Sequence, residues 1–209
     1  MGLATVVIVC TGCPSVPTLT TAKTVGDGVN EIAISPGFVG FAASAGGGDL
    51  GSVSTGLITL PDLAFGYRRG IGDKFDLGVI LSGWGHLRID GKINFIDSDA
   101  FALAINPAFG GTAGYVDFSL PVPMDIVFTD WMRLTLQPRY MGLVSIVDNT
   151  VVPFQHFAGA GMGLEFVVSD MVALQPHGGV DLWLNPPSGT DIGGDALLAT
   201  GGFAIKLRF

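Results

Sequence analysis

Cysteine and charge are both scarce in this 209-residue chain, and each shortage excludes a class of function. Only Cys10 and Cys13 occur, so residues 14–209 offer no thiol nucleophile and no cysteine-based metal site. Charged residues make up 13% of the chain, about half of the ~25% that is usual in soluble domains. The net charge of −8 argues against nucleic-acid binding, which needs basic stripes.

Long hydrophobic runs are also missing, although 48% of the residues are hydrophobic. No window approaches the ~18 consecutive apolar residues of a membrane-spanning helix. The 32 glycines oppose helix formation, whereas the 14 phenylalanines suit strands and membrane interfaces. An apolar chain of this kind needs either a large buried core or a barrel whose outer wall faces lipid.

The first residues have the features of a targeting signal. Residues 3–9 form an apolar run that is too short to span a bilayer and is typical of a signal peptide. The Thr-Gly-Cys sequence that ends at Cys13 resembles the end of a bacterial lipoprotein signal, which implies a signal peptide over 1–12 and lipidation of Cys13. Residues 13–28, with their Pro and Gly, are expected to form an extended tether. An ordinary secretory signal with incidental cysteines is the alternative.

From residue 29 onward, apolar residues recur at every second position, a pattern that predicts β-strands. The last stretch shows this most clearly, since one set of alternate residues is apolar: Phe203, Ile205, Leu207 and Phe209. The runs exceed the ~5–6 residues of globular strands, and a tilted membrane strand needs ~9–11. Ten strands are predicted, at residues 29–43, 55–68, 75–84, 86–96, 100–109, 114–128, 131–146, 155–168, 171–184 and 196–209.

The predicted connections are of two kinds, which alternate along the chain. Short turns that contain Asp are predicted at residues 72–74, 97–99, 129–130 and 169–170. Longer loops are predicted at residues 44–54, 110–113, 147–154 and 185–195, with a short corner at 84–86 on the same side. Short turns on one rim and longer loops on the other are typical of outer-membrane barrels. An even number of strands places both termini on the short-turn rim, which in such a barrel is periplasmic.

Aromatic residues provide a second indication, because most of them fall near predicted strand ends. Near the short-turn rim, the sequence places Phe65, Tyr67, Phe75, Phe95, Phe101, Phe128, Trp131, Phe166 and Phe209. Near the loop rim, it places Phe41, Trp84, Phe109, Tyr115, Tyr140, Phe154, Phe157 and Trp183. Two aromatic girdles around an aliphatic band indicate a wall that faces lipid. The alternative is a soluble all-β core, whose surface would need more charge than this chain has.

Three features resemble the small outer-membrane β-barrel proteins of Gram-negative bacteria: the C-terminal residues 203–209, the hairpin at 65–78, and the turns at 129–130 and 169–170. The resemblance covers 29–209 and implies an all-β fold, a closed antiparallel up-and-down transmembrane barrel of about ten strands, with eight possible. It also implies insertion into the outer membrane among its lipids. The barrel-assembly machinery would then recognise the C-terminal signal, formed by Phe203, Ile205, Leu207 and Phe209.

The polar residues of the alternating pattern are expected to line the interior of the barrel, the lumen. The predicted polar network consists of Asp62, Arg68, Arg88, Asp117, Arg133, Arg139, Glu165, Asp181, Lys206 and Arg208. A barrel of about ten strands is narrow enough for side chains to fill. The network is therefore either an ion-paired plug or the lining of a narrow passage for ions or small solutes. Inward glycines such as Gly159 and Gly179 favour some free volume, and strand curvature explains them equally well.

The function expected from the sequence is non-enzymatic: a structural or surface-interaction role, or a narrow passage. An outer-rim hydrolase is an alternative, because His86 and His156 fall near the loop rim with Asp90, Asp148, Asp191 and Asp195 as possible partners. A soluble, lipocalin-like ligand-binding barrel is the other alternative. The three scattered histidines have no metal-ligand spacing, so no metal and no cofactor is expected.

Overall fold

The computed structural model describes residues 20–43, 58–83, 85–147, 150–151, 154–185 and 196–209, and β-strands make up most of these residues. The strands are β1 (Asn30–Ala43), β2 (Ile58–Gly70), β3 (Phe75–Ser82), β4 (Leu87–Asp97), β5 (Phe101–Ile105), β6 (Ala108–Gly111), β7 (Tyr115–Pro121), β8 (Met124–Thr129), β9 (Met132–Val147), β10 (Thr150–Val151), β11 (Gln155–Ser169), β12 (Val172–Trp183) and β13 (Ala196–Arg208). None of the described residues forms a helix that is long and apolar enough to span a membrane.

The strands close into a barrel with ten positions around its circumference. Neighbouring strands pair antiparallel from β1 through β4, then through the β5–β6 and β7–β8 positions to β9, β11, β12 and β13. Closure is completed by β13 pairing with β1, for example Lys206 opposite Ala33. The predicted closed antiparallel barrel of about ten strands is therefore confirmed.

Two of the ten positions are each divided into two short strands by proline. The pairing register of β5 with β4 continues unchanged in β6, so Pro107 interrupts one strand rather than separating two. Each break contains a proline, Pro107 or Pro123, which has no N–H to donate to the ladder, although Pro138 lies inside the unbroken β9. The carbonyl groups still accept across the seams, from Gly91 N–H to Pro107 O at 3.0 Å and from Ala104 N–H to Pro123 O at 3.0 Å. The sequence pattern predicted each pair as one strand and missed the interruptions.

The two rims differ as the sequence predicted. One rim carries the short turns at residues 71–74, 98–100, 130–131 and 170–171. The first residue of β1 and the last residue of β13 lie at the same rim, which we call the terminal rim. Asn30 and Phe209 exchange two backbone hydrogen bonds there, each of 2.9 Å. The strands β1, β3, β6, β9 and β12 all end at the opposite rim, which we call the loop rim.

The two faces of the barrel wall have opposite character. Exposed positions of the outward face are almost all apolar, for example Leu81, Ile89, Phe109 and Val180. The inward face carries most of the buried polar and charged side chains, including Asp76, Lys92 and Glu165. A soluble barrel has the reverse arrangement, whereas a barrel in lipid has this one. The outer wall therefore suits a hydrocarbon environment.

Candidate functional site in the lumen

The ten residues of the predicted polar network all occupy inward positions of the alternating strands. Nine of them form ion pairs inside the barrel: Arg68, Arg88, Asp117, Arg133, Arg139, Glu165, Asp181, Lys206 and Arg208. Asp62 is the exception among them. One of its oxygens accepts the N–H of Leu63 at 2.9 Å, and the other, Oδ2, is buried without a hydrogen-bond partner.

Glu165 of β11 organises an ion-pair cluster toward the terminal rim. Its Oε2 accepts a hydrogen bond from Lys206 Nζ at 2.6 Å. Its Oε1 lies 3.2 Å from Arg133 Nε and 3.3 Å from an Arg208 guanidinium nitrogen. Arg208 also donates through Nε to Glu31 Oε2 at 2.8 Å. Because the Glu165 side chain is fully buried, its charge is the main compensation for three cations that converge from β9 and β13.

A second cluster joins the neighbouring strands β2, β3 and β4. Arg68 donates to Asp90 Oδ1 at 2.5 Å and lies 3.9 Å from Asp76 Oδ2. Lys92 Nζ approaches the same Asp76 oxygen at 2.7 Å. Two cations and two carboxylates thus balance one another on this side of the lumen.

Residues 20–25 lie inside the lumen and are bound there by inward side chains. Lys92 Nζ donates to the carbonyl oxygens of Thr21 at 3.0 Å and of Lys23 at 2.5 Å. Asn94 Nδ2 donates to the carbonyl oxygen of Ala22 at 3.0 Å. Ala22 is fully buried, in an apolar contact with the inward Ala102 and Ala104. The segment is irregular chain with a bend at Ala22 and Lys23, and we call it the lumen segment.

Carboxylates and an amide on neighbouring strands complete this binding. Asp125 Oδ2 accepts the Lys23 N–H at 3.0 Å, and Asp76 Oδ1 accepts the Val25 N–H at 3.3 Å. Asn106 Nδ2 donates to Thr20 Oγ1 at 3.2 Å. Since Asn106 lies five residues along its strand from the terminal-rim residue Phe101, the lumen segment penetrates well into the barrel.

The chain passes from the lumen segment into the wall by a reversal at the terminal rim. Gly26 and Gly28 have φ values of 99° and 71°, which L side chains rarely adopt, so glycine is required there. The Gly28 N–H donates to Gly70 O, and the Gly72 N–H donates to Asp27 Oδ1 at 2.7 Å. The expected tether over 13–28 is described from residue 20 only, and those residues have partners inside the barrel that the sequence pattern did not anticipate.

An ion pair on the lumen side of the wall bridges β9 and β12 over the intervening β11. Arg139 of β9 donates through Nε and a terminal nitrogen to both oxygens of Asp181 of β12, at 2.7 and 2.5 Å. A Cβ on Gly159 would collide with the Asp181 side chain and the Val180 carbonyl, and a Cβ on Gly179 would lie 3.0 Å from an Arg139 nitrogen. The inward glycines Gly159 and Gly179 therefore make room for this pair rather than leaving open volume.

We expect Gly159→Ala to destabilise the barrel by about 1–3 kcal/mol, because the added methyl group meets Asp181 and backbone of the adjacent strand. Urea-induced unfolding in lipid vesicles, followed by tryptophan fluorescence, measures the change. Gly66→Ala on the inward face of β2 is the control, since its added methyl group would meet nothing closer than Ala33 Cβ at 3.6 Å. Equal stability of the two variants would contradict the assigned role of Gly159.

His86 is buried toward the loop rim, where a carboxylate and an aromatic ring hold it. Its Nε2 lies 2.5 Å from Asp117 Oδ2, and Arg88 donates to the other Asp117 oxygen at 2.9 Å. The ring stacks on Tyr115 with centroids 5.6 Å apart. Asp90, one of the possible partners predicted for the two histidines, pairs with Arg68 instead. The other proposed partners, Asp148, Asp191 and Asp195, lie outside the described residues.

On β7, β9, β11 and β12, the inward face becomes mainly apolar near the loop rim. A buried cluster there consists of Tyr115, Met141, Leu143, Phe157 and Trp183, with Phe157 stacked on Trp183 at 5.6 Å. We call it the apolar closure. Three of these residues were predicted to belong to the lipid-facing aromatic girdle: Tyr115, Phe157 and Trp183. That prediction is wrong, because all three are buried on the inward face. Trp183 shares the inward face of β12 with Asp181, so the alternation itself directs its ring inward.

His156 lies on the outward face, near the loop rim. Its Nδ1 shares a short hydrogen bond with the Tyr140 hydroxyl, and its ring meets Phe154 edge-on at 4.5 Å. Its backbone N–H donates to Asn185 Oδ1 at 2.6 Å. His156 and His86 are thus on opposite faces of the wall. Within the described parts of the chain, no three His, Cys, Asp or Glu residues are close enough to hold a metal ion.

The remaining predicted residues are at the two ends of the chain. Cys13 and the expected signal peptide lie outside the described residues. Ile205, Leu207 and Phe209 are exposed on the outward face of the last strand. Glu31 belongs to the ion-pair network although the sequence analysis did not include it. Its place on the same face of β1 as Ser35 was the available signal.

Comparison with known proteins gives the fold and little more. No family model and no curated protein matches the sequence. Similar solved structures include the NanC porin, with 6% identity and a TM-score of 0.52 over 84% of this chain and 100% of that one. The outer membrane protease OmpT from Escherichia coli has 8% identity and a TM-score of 0.50 over 92% of this chain and 100% of its own. Ail, the attachment invasion locus protein of Yersinia pestis, has 12% identity and a TM-score of 0.41 over 88% and 99%.

At these identities, the likeness shows the fold alone. The fold is that of outer-membrane β-barrel proteins, and it supports a location in the outer membrane. The neighbours include a porin and a protease, so the fold does not select an activity.

Proposed function

We propose that this protein is a non-enzymatic outer-membrane barrel with a closed lumen, which acts through its outer wall and its surface loops. The observation that carries the proposal is the lumen segment. Lys92 and Asn94 bind three consecutive carbonyl groups of this segment, those of Thr21, Ala22 and Lys23. A passage for solutes cannot share this part of the lumen with residues 20–25 while those bonds are made.

Two further features oppose free passage along the axis. The Arg139–Asp181 pair projects into the lumen from β9 and β12, over the intervening β11. The apolar closure follows toward the loop rim, and narrow hydrophobic constrictions block ions by excluding water. In this proposal, the bonds to the lumen segment close the terminal-rim end, and the apolar closure together with the buried His86–Asp117 pair closes the loop-rim end.

Conductance across a planar lipid bilayer tests this closure. We expect the refolded full chain to give no steady current. Lys92→Met with Asn94→Leu loosens the lumen segment, and Phe157→Ala with Trp183→Ala opens the apolar closure. Because the two closures act in series, we expect steady conductance only when both pairs of substitutions are combined. Stable conductance steps from the unmodified chain would overturn the proposal in favour of a passage for small solutes.

The non-enzymatic part of the proposal is supported by the surroundings of the two histidines near the loop rim. His86 has 0% exposure, and Asp117 engages its Nε2 inside the wall. His156 has a tyrosine rather than a carboxylate as its side-chain partner. Protease and lipase assays on the reconstituted chain test this part. Activity that is lost in His86→Ala or His156→Ala, with folding retained, would establish a hydrolase instead.

A further inference from the structure

The outward face of the wall has a groove beside the proline-interrupted strands. The groove has a volume of about 590 Å³. Its floor contains Gly91, which has no side chain, and Pro107. Ile89 and Phe109 border it and are among the most exposed apolar side chains, at 56% and 64%. Because this face of the barrel is the one directed at membrane lipid, the groove is open to hydrocarbon chains.

Toward the loop rim, the groove joins a cluster that contains polar groups. Phe118 lines the groove and also lies against Tyr140, with centroids 5.7 Å apart, and against Phe154 at 6.1 Å. Tyr140 in turn bonds His156 through Nδ1. The second ring nitrogen, Nε2, has no partner among the described residues. This Nε2 lies on the lipid-facing wall, one aromatic ring away from the groove. A polar nitrogen in apolar surroundings is stabilised by a hydrogen-bond partner, which the membrane side can provide.

The charges of this rim restrict the kind of polar atom. Residues 44–57, 148–153 and 186–195, which connect strands at the loop rim, include four Asp and no Lys or Arg. The exposed cations of the described wall, such as Arg69 and Lys74, lie at the terminal rim. Heavily phosphorylated head groups are bound through Arg and Lys. With Tyr140 donating its hydroxyl proton to His156 Nδ1, the Nε2–H of His156 is a donor that suits ester and phosphodiester oxygens of a head group without net charge.

We propose that the groove and the His156–Tyr140 pair form a binding site for one zwitterionic glycerophospholipid. One acyl chain lies in the groove over Gly91 and Pro107, and the ester and head-group oxygens accept from His156. The inference rests on the proposed location in a membrane. It adds a defined lipid-binding site to the outer wall, which is the surface through which the proposed closed barrel acts.

Filling the groove from within tests the acyl-chain part. A Cβ on Gly91 would lie 3.4 Å from Phe75 and 3.7 Å from Leu77, so the backbone admits a side chain there, and Gly91→Leu extends that side chain into the groove. Ala160→Leu adds the same side chain to the outward face elsewhere and is the matched control. With phosphatidylethanolamine added to the detergent-solubilised chain, native mass spectrometry should show one retained lipid. We expect Gly91→Leu to lower this occupancy about tenfold and Ala160→Leu to leave it unchanged. Equal occupancy in the two variants would overturn the site.

The head-group part has its own comparison. The unmodified chain should retain phosphatidylethanolamine in preference to diacylglycerol with the same chains, and His156→Phe should lose that preference. Retention of a bis-phosphorylated lipid A in preference to phosphatidylethanolamine would overturn the assigned head group. If the chain requires detergent but its lipid retention does not depend on Gly91, the lipid site is wrong and the membrane location stands. If the chain is monodisperse without detergent, both the lipid site and the membrane location are wrong.

Discussion

Glu165→Gln should lower the free energy of unfolding by about 3–5 kcal/mol, because it leaves buried cations without their compensating charge. Lys206, Arg133 and Arg208 all approach the two oxygens of this carboxylate, within 3.3 Å. The amide has the same shape, so the change removes charge and leaves packing intact. Urea-induced unfolding in phospholipid vesicles, followed by tryptophan fluorescence, provides the measurement.

Asp62→Asn is the matched control for Glu165→Gln. Asp62 is also inward and buried, but it has no cation partner among the described residues, and Oδ2 has no hydrogen bond. Removing its charge should change the stability by less than about 1 kcal/mol or increase it, since a buried unpaired charge is costly. If both substitutions destabilise equally, ion pairing does not explain the role of Glu165.

Lys92→Met combined with Asn94→Leu should release the lumen segment and speed hydrogen exchange of its backbone amides about 100-fold. The two substitutions remove three hydrogen bonds to carbonyl groups, two of them from a charged donor, which together contribute about 3 kcal/mol. The reporters are the N–H groups of Lys23 and Val25, which donate to Asp125 and Asp76. Mass spectrometry of peptic fragments measures their exchange.

Gln175→Leu is the control for the lumen segment. Gln175 is likewise an inward amide with no exposure, but neither of its side-chain polar atoms bonds the segment. Exchange at residues 20–25 should be unchanged in this variant. If the double substitution leaves exchange as slow as this control does, the segment is held by something other than Lys92 and Asn94, and the proposed closure at this end loses its basis.

Most of the barrel could be predicted from the sequence because alternate residues of each strand face different surroundings. One set faces the polar lumen and the other faces outward, which gives the period-two pattern. Lys206 and Arg208 alternate with Ile205 and Leu207 because one set faces the lumen and the other faces outward. The same rule would have placed Trp183 inward with Asp181. The girdle assignment failed because it used only how near each aromatic residue is to the end of its strand. It did not use whether the alternation directs that residue inward or outward.

The partners inside the lumen could not be predicted from the pattern. Glu165 of β11 pairs with Lys206 of β13 across the intervening β12, so the contact depends on barrel circumference and side-chain length. The lumen segment gave no signal either. Thr21 and Ala22 have no periodicity, and their burial results from polar groups on strands more than fifty residues later in the chain.

The central claim is that the outer wall of this barrel is solvated by hydrocarbon, and spin labels on one strand test it most directly. In a background with serine at positions 10 and 13, nitroxides are attached at Val180→Cys, Leu182→Cys and, as a turn control, Asp170→Cys. After reconstitution in lipid vesicles, the labels at 180 and 182 should collide with oxygen far more often than with a water-soluble nickel complex, and the label at 170 should show the reverse. Equal access of the nickel complex to all three positions would contradict the account.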